Sequence, residues 1–397
     1  MNTKNKKIES ISGFLIFLIL IFMLPDTIFY VFRLGNFSLS TMLSLFFLLL
    51  ILRVEKVGKK SISLIILCAI FLAVNVLTST FTDATVVLSD KVIFSAYLII
   101  FLLFISSCFA EKILVYTEHS IKKAVVYFYI FLTIIGLLSS LLIKLNVNDS
   151  KSMIFFSEPS AFALIYLPFF SFCLYYATGF RLILLCLTSF GIALLVQNLT
   201  MLAGICICFF LLKKINILQI IFAIVVILVA IAVFDFAFDL SYYTARLSFG
   251  NSTNLSLLVY LSGAERAYLN LIYSHGLGIG FQQMGVNGVL GVNQQILESL
   301  GAGELNLFDG SFILSKFISE FGLVGVLCSL IYVLYLLKLY FSFKTSKQYT
   351  VYYILCYSFY ISFFIPFFLR GAGYLNPYVF MLMTSLFLSI KLKNESV

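Results

Sequence analysis

Apolar runs of roughly 17 to 25 residues, each long enough to span bilayer hydrocarbon, recur from one end of this chain to the other. Lipid offers no partner for backbone N–H and C=O groups, so such a chain must pair them internally, as helices or as a closed barrel. A barrel would show short segments of alternating polarity. These runs are continuous, which predicts an all-α, polytopic integral membrane protein. Only 11% of the 397 residues are charged and 62% are hydrophobic, against about a quarter charged in soluble domains.

The runs predict about twelve transmembrane helices at 12–32, 37–52, 62–81, 92–110, 124–144, 160–177, 181–196, 200–212, 216–234, 312–337, 349–369 and 375–390. They form a single membrane domain over 1–397, with no internal repeat. Lys4, Lys6 and Lys7 precede the first run in the manner of a signal peptide. That run, 14–32, is too long for such a segment and no small-residue cleavage site follows it, so it reads as the first span.

The formal net charge of +9 raises nucleic acid as a partner. The basic residues are spread among short loops without interleaved aromatics, which argues against it. Their distribution is instead a topology signal. Cytoplasmic termini place 18 of the 26 Lys and Arg residues on the cytoplasmic side, in 1–11, 53–61, 111–123 (which also holds His119), Arg181, Lys213 with Lys214, 338–348 and the C-terminal end. The opposite side then receives 145–159, the turn 370–374 and one large loop, 235–311. Within that loop an amphipathic helix is expected over 255–274, a glycine-rich part over 276–303 and a short helix over 294–300. The eight cysteines fall in or beside apolar runs without metal-ligand spacing and read as small hydrophobes. No metal site or other cofactor is expected.

Ionisable residues beside helix ends on the outer face are the candidate site. Glu158 precedes Pro159, which suits the first turn of a helix. The carboxylate is either a helix-start device favoured by the dipole or a functional group. Arg266, beside Glu265, and Arg246 carry forks that bind phosphate oxygens and never deprotonate, or else face lipid headgroups. His275 opens a glycine-rich run, either as a base near neutral pH or as a loop residue. Glu320 lies inside a predicted span, where Lys316 at i−4 would partner it structurally. Arg370, beside Gly371 and Gly373, either turns back toward the bundle or anchors at the interface. Asp235 and Asp239 sit one turn apart without further metal ligands.

The order Phe156-x-Glu158-Pro159-Ser160, Arg266 followed by Gly278-Ile279-Gly280-Phe281, Ser311-Phe312 with Glu320-x-Gly322-Leu323-x-Gly325, then Arg370 resembles the Wzy-type O-antigen and capsule polysaccharide polymerases. The large late loop agrees with that resemblance. It implies a glycosyltransferase of the bacterial inner membrane that joins undecaprenyl-diphosphate-linked repeat units, with a lipid-linked glycan as donor, a second as acceptor, and no cofactor. A chain-length regulator protein is a further partner it suggests. Under this resemblance Arg246, Arg266 and Arg370 would hold the diphosphate, and Glu158 or His275 would act on the attacking hydroxyl. The related O-antigen ligases usually carry a histidine nine residues before the glutamate matching Glu320; here that position is Ser311. A ligase, or a polysaccharide-lipid flippase or other transporter, is the alternative. Transporters tend to show repeat symmetry and polar residues at the bilayer midplane.

Overall fold

A computed structural model describes residues 8–52, 57–82, 90–145, 153–213, 254–344, 349–371 and 373–395. Among these there is no β-strand, only isolated bridges. The helices are α1 (Ile11–Phe22), α2 (Leu24–Asp26, continuing as a π-helical turn Thr27–Val31), α3 (Phe37–Leu52), α4 (Lys59–Thr82), α5 (Asp90–Val115), α6 (Glu118–Lys144), α7 (Pro159–Tyr176), α8 (Gly179–Leu195), α9 (Leu199–Leu212), α10 (Leu255–Tyr273), α11 (Val292–Ser299), α12 (Ile313–Lys344), α13 (Val351–Ser362), α14 (Phe364–Phe368) and α15 (Pro377–Glu395).

Local sequence explains several of the helix starts. Ser10, Thr117, Asn198, Asn254 and Thr350 each accept a backbone N–H from the first turn of the helix that follows, satisfying donors that have no intrahelical acceptor. Pro25 and the π-helical turn after it break the first apolar run, whose two pieces are bent by 43°. A π-helical turn inside a helix is a recurrent mark of functional positions.

Six of the described helices are long and apolar enough to cross a membrane, or seven if the bent pair α1–α2 counts as one span. Eleven of the twelve predicted segments fall on helices; the twelfth, 216–234, lies outside the described residues. The exterior has the polarity that lipid requires. On α12, Leu323, Leu327, Leu330, Leu334, Leu337 and Phe341 are all exposed, an apolar stripe too large for a helix in water.

The centre of the bundle is aromatic. Phe169 of α7 packs 4.7 Å from Phe128 of α6 and 5.0 Å from Phe22 of α1, and Phe22 stacks on Phe359 of α13 at 5.8 Å. Burial separates central from peripheral helices: 72% of the α7 span is enclosed but only 17% of the α4 span. The sequence marks one such close approach. Gly204 of α9 lies against Leu167 of α7, where a Cβ would overlap the leucine methyls, the close contact that small residues allow between membrane helices.

One expectation changes. The connection expected over 111–123 is almost all helix, since α5 runs to Val115 and α6 begins at Glu118. His119 is therefore in a helical first turn rather than a loop. The polar residues there still favour helix, so the helices continue past their apolar parts. The described part of the segment expected as the large loop, 254–311, carries α10 and α11, close to the helices expected at 255–274 and 294–300. Residues 235–253, with Asp235, Asp239 and Arg246, lie outside the described residues. All eight cysteines are free thiols.

Candidate functional site

The Glu158 segment enters α7 through a tight turn in which Met153 and Phe156 exchange backbone hydrogen bonds of 3.0 and 3.1 Å. The buried Phe156 ring packs edge-on to Phe162 at 5.4 Å, fixing the angle at which the chain enters the helix. Pro159 occupies the first turn, and its carbonyl accepts from Asn198 Nδ2 at 2.5 Å, which ties the start of α7 to the start of α9. Glu158 is the residue flanking the helix, yet its carboxylate caps no backbone N–H. It accepts from Ser160 Oγ at 2.5 Å and from the Arg370 guanidinium at 2.8 and 3.1 Å. The carboxylate stands at the helix start, as one of the two readings expected, and also forms an ion pair with a residue 212 positions away. Both side chains remain partly exposed, Glu158 by 47% and Arg370 by 31%, so an incoming ligand can reach them.

Arg370 is delivered by the end of α14. Its N–H bonds to Ile365 O at 3.0 Å, and the next N–H, from Gly371, bonds to Ser311 O at 2.9 Å. A Cβ at Gly371 would meet the Pro366 carbonyl and Ile313, so the tight turn needs glycine there. Arg370 turns back to the bundle rather than acting as an interfacial anchor.

Ser311 also joins this turn to α10. Its hydroxyl donates to Val259 O at 2.5 Å, and Gly263 lies directly against the Gly310 carbonyl. One turn further along the same buried face of α10 is Arg266. It is 2% exposed, its Nε has no hydrogen-bond partner, and no ion pair reaches it among the described residues. Burial pushes its guanidinium down to about 10, still charged at neutral pH. A buried guanidinium without a counter-charge is a costly arrangement that an anionic ligand would relieve. Its neighbour Glu265 is not that counter-charge. The Glu265 carboxylate accepts from Val292 N at 2.8 Å and Asn293 N at 2.9 Å, at the start of α11, where the helix dipole favours it.

His275 stands apart. It occupies a left-handed turn (φ 50°) just past α10, is exposed, and its ring makes no hydrogen bond or ion pair among the described residues. Arg246 lies outside the described residues.

Glu320 forms a second, enclosed cluster. It is fully buried, with Lys316 Nζ 3.8 Å from Oε1 and the Tyr374 hydroxyl donating to Oε2 at 2.9 Å. Lys316 Nζ also donates to Phe308 O at 2.6 Å and Gln282 Oε1 at 3.3 Å. Burial and the adjacent carboxylate push the Tyr374 hydroxyl well above its ordinary range, so it remains a neutral donor. The glycine-rich run docks on the backbone here: Ile279 N bonds to Ser319 O at 2.9 Å and Leu323 N to Gly276 O at 2.8 Å. The i, i+4 spacing identified the Lys316 partner; the rest of the cluster clamps the loop to α12.

One site residue escaped the sequence reading. Asp26, at the break in the first apolar run, is 1% exposed, and neither carboxylate oxygen has a hydrogen-bond partner among the described residues. An acidic residue inside an apolar run was the available signal, since ionisable groups at membrane depth are functional candidates by default.

Taken together, the structure offers a partly open carboxylate held by an arginine, a second and partnerless arginine reached through the Ser311 junction, and a buried, unpartnered acid at the break in the first apolar run. No protein-family model, curated protein or solved structure matches the chain.

Proposed function

We propose that this protein is a polymerase of undecaprenyl-diphosphate-linked oligosaccharide repeat units, for O-antigen or capsular polysaccharide. In this reading the chain crosses the bacterial inner membrane about twelve times with both termini in the cytoplasm, and 235–311 lies outside. What carries the proposal is convergence. The Glu158 segment, α10, the Ser311 junction and Arg370 are far apart in sequence, match the polymerase pattern in order, and meet in space through the bonds Glu158–Arg370, Gly371–Ser311 and Ser311–Val259.

The geometry suits the reaction. The acceptor hydroxyl oxygen attacks the anomeric carbon of the donor, the bond from that carbon to the diphosphate oxygen breaks, and the electron pair leaves with undecaprenyl diphosphate. Fixed positive charge where negative charge develops is the main catalytic need, and partnerless Arg266 supplies it. Glu158, held by Arg370 and Ser160, is the group that orients the hydroxyl and takes its proton; of the two candidate bases it is favoured over His275, whose exposed ring nothing positions. The ligase alternative is less well supported, because the hydroxyl of Ser311 is spent on Val259 O and no base stands there.

Deletion and complementation in the native strain test this. The deletion strain should display surface lipid capped with single repeats, and the intact chain should restore long polymer. Arg266→Ala and Glu158→Ala should each fail to restore it. Full-length polymer with both variants would overturn the site. Long chains retained on the carrier in the deletion strain would indicate a ligase, and single repeats trapped inside the cell a flippase.

A further inference from the structure

At 32 residues α12 rises about 48 Å, more than a tilt of up to about 40° can fit into roughly 30 Å of bilayer hydrocarbon, so part of it stands outside. Burial shows which part. No residue of 313–321 is exposed, and that stretch carries the buried Lys316 and Glu320. Over 323–341 nine large apolar side chains are exposed, and no charged residue occurs between Glu320 and Lys338. This second stretch rises about 27 Å, close to the hydrocarbon thickness. Lys338 lies one turn from its end, where the long stem lets the ammonium snorkel to water. The change falls at Gly322, where the helix is broken. Beside the first stretch, α10 runs in the same direction. Near its start Val259 O accepts from Ser311 Oγ, and past its end Gly276 O accepts from Leu323 N at 2.8 Å. The end of α10 is therefore carried to the Gly322 break. There Tyr268, Ile272, Tyr273 and Leu277 are all exposed, and Gly276 lies directly against the Leu323 side chain. This patch is thus continuous with the lipid-facing stripe of α12, and its two tyrosines are the residues that membrane–water interfaces favour.

We propose that the hydrocarbon boundary crosses α12 at Gly322, and that Tyr268, Ile272, Tyr273 and Leu277 rest on the lipid leaflet there, making the end of α10 an interfacial anchor. The partner of this face is the bilayer surface itself. The tyrosine rings lie at the headgroup level with their hydroxyls toward water, and the exposed His275 between Tyr273 and Leu277 is at home in the same polar layer. α11 is held away from the leaflet, because its Leu297 packs on Leu258 and Val259 at the far end of α10. One consequence rests on the polymerase reading, whereas the anchor does not: the anchor sets the height of Arg266. That residue stands eight positions before Ser274, at most about 12 Å along the helix, so a lipid diphosphate can reach it while its hydrocarbon chain stays in the leaflet.

The chain contains no tryptophan, so each single Trp variant is its own depth reporter. The test places the full-length protein in phosphatidylcholine vesicles whose acyl chains are brominated either near the headgroup or near the bilayer centre. Leu277→Trp and Leu323→Trp should lose more emission to the shallow bromines than to the deep ones. Ile331→Trp, about 12 Å further along α12, should show the reverse order. Ile296→Trp, on the exposed side of α11, should be quenched by aqueous iodide and by neither lipid. Tyr273→Trp, aromatic for aromatic, repeats the shallow measurement if Leu277→Trp does not fold. Emission from the α10 variants that iodide quenches and neither lipid does would lift α10 off the leaflet. Stronger quenching of them by the deep bromines would put the turn inside the hydrocarbon. Either result overturns the proposal. Quenching depends on no glycan chemistry, so loss of the polymerase assignment leaves a supporting profile standing, and a contrary profile leaves the complementation results as they are.

Discussion

Arg266 is a charge enclosed without a counter-charge, and that fact makes opposite predictions for stability and for activity. Replacing even a buried ion pair with well-packed apolar side chains of similar volume can stabilise a protein by about 1–4 kcal/mol, and an unpaired ion has no mutual attraction to lose. Arg266→Met should therefore raise the Tm of the unliganded protein while abolishing polymer formation, the trade expected where a site is built for a ligand rather than for stability. Inorganic diphosphate should raise the Tm of the wild-type protein and leave that of Arg266→Met unchanged. The pH dependence has a definite sign. Below about 10 the guanidinium is charged in both folded and unfolded chains, so the burial cost is constant through the neutral range. Above that value the folded protein sheds the proton first, the unfolded chain holds more protons, and the stability of wild type relative to Arg266→Met should rise with pH. A Tm for Arg266→Met below that of wild type at neutral pH would show that Arg266 has a partner after all.

Among the elements, α12 carries the clearest departure from regular geometry. Gly322 interrupts it at φ 57° and ψ −132°, and the glycine-rich run docks into the gap, with Gly276 O and Gly278 N against the Gly322 α-carbon. A methyl group there meets backbone on the partner segment, which has no flexible side chain to move aside. Gly322→Ala should cost roughly 2 kcal/mol or more, through both the left-handed φ and the lost docking. Limited proteolysis should then cut within 276–291 faster than in the wild type; an unchanged cleavage rate would mean the loop is held some other way. The hydrophobic pattern placed α10, α11 and α12 closely enough, and the i, i+4 spacing paired Lys316 with Glu320. That Tyr374, 54 residues on, donates to the same carboxylate was not legible, because no local period links a turn to a helix so distant.

For the molecule as a whole, the apolar exterior and the enclosed polar cluster follow from one condition, that the solvent around the helices is hydrocarbon. The proposed orientation then gives a test at this scale. Reporter fusions within 254–311 should show activity only outside the cytoplasm, and fusions at 59–60 and at the C-terminus only inside, as the lysine-rich segments require. Reversed reporters would put Arg266 and Glu158 in the cytoplasm and end the case for chemistry on lipid-linked glycans outside.

Helix positions were determined by sequence alone, because a helix depends on bonds between residues four apart and on transfer of each side chain out of water, and both are local. The caps that the structure shows at Ser10, Thr117, Asn198 and Asn254 are equally local, each side chain bonding two or three residues ahead. What the tertiary structure alone decided is who faces whom. A helix that is apolar almost all round has no stripe to declare which side turns inward, so nothing in the chain announced that Arg370 would close on Glu158 or that Asp26 would be buried without a partner. Those encounters depend on helix rotation and close packing, set by the bend at Pro25, the contact at Gly204 and the turn at Gly371.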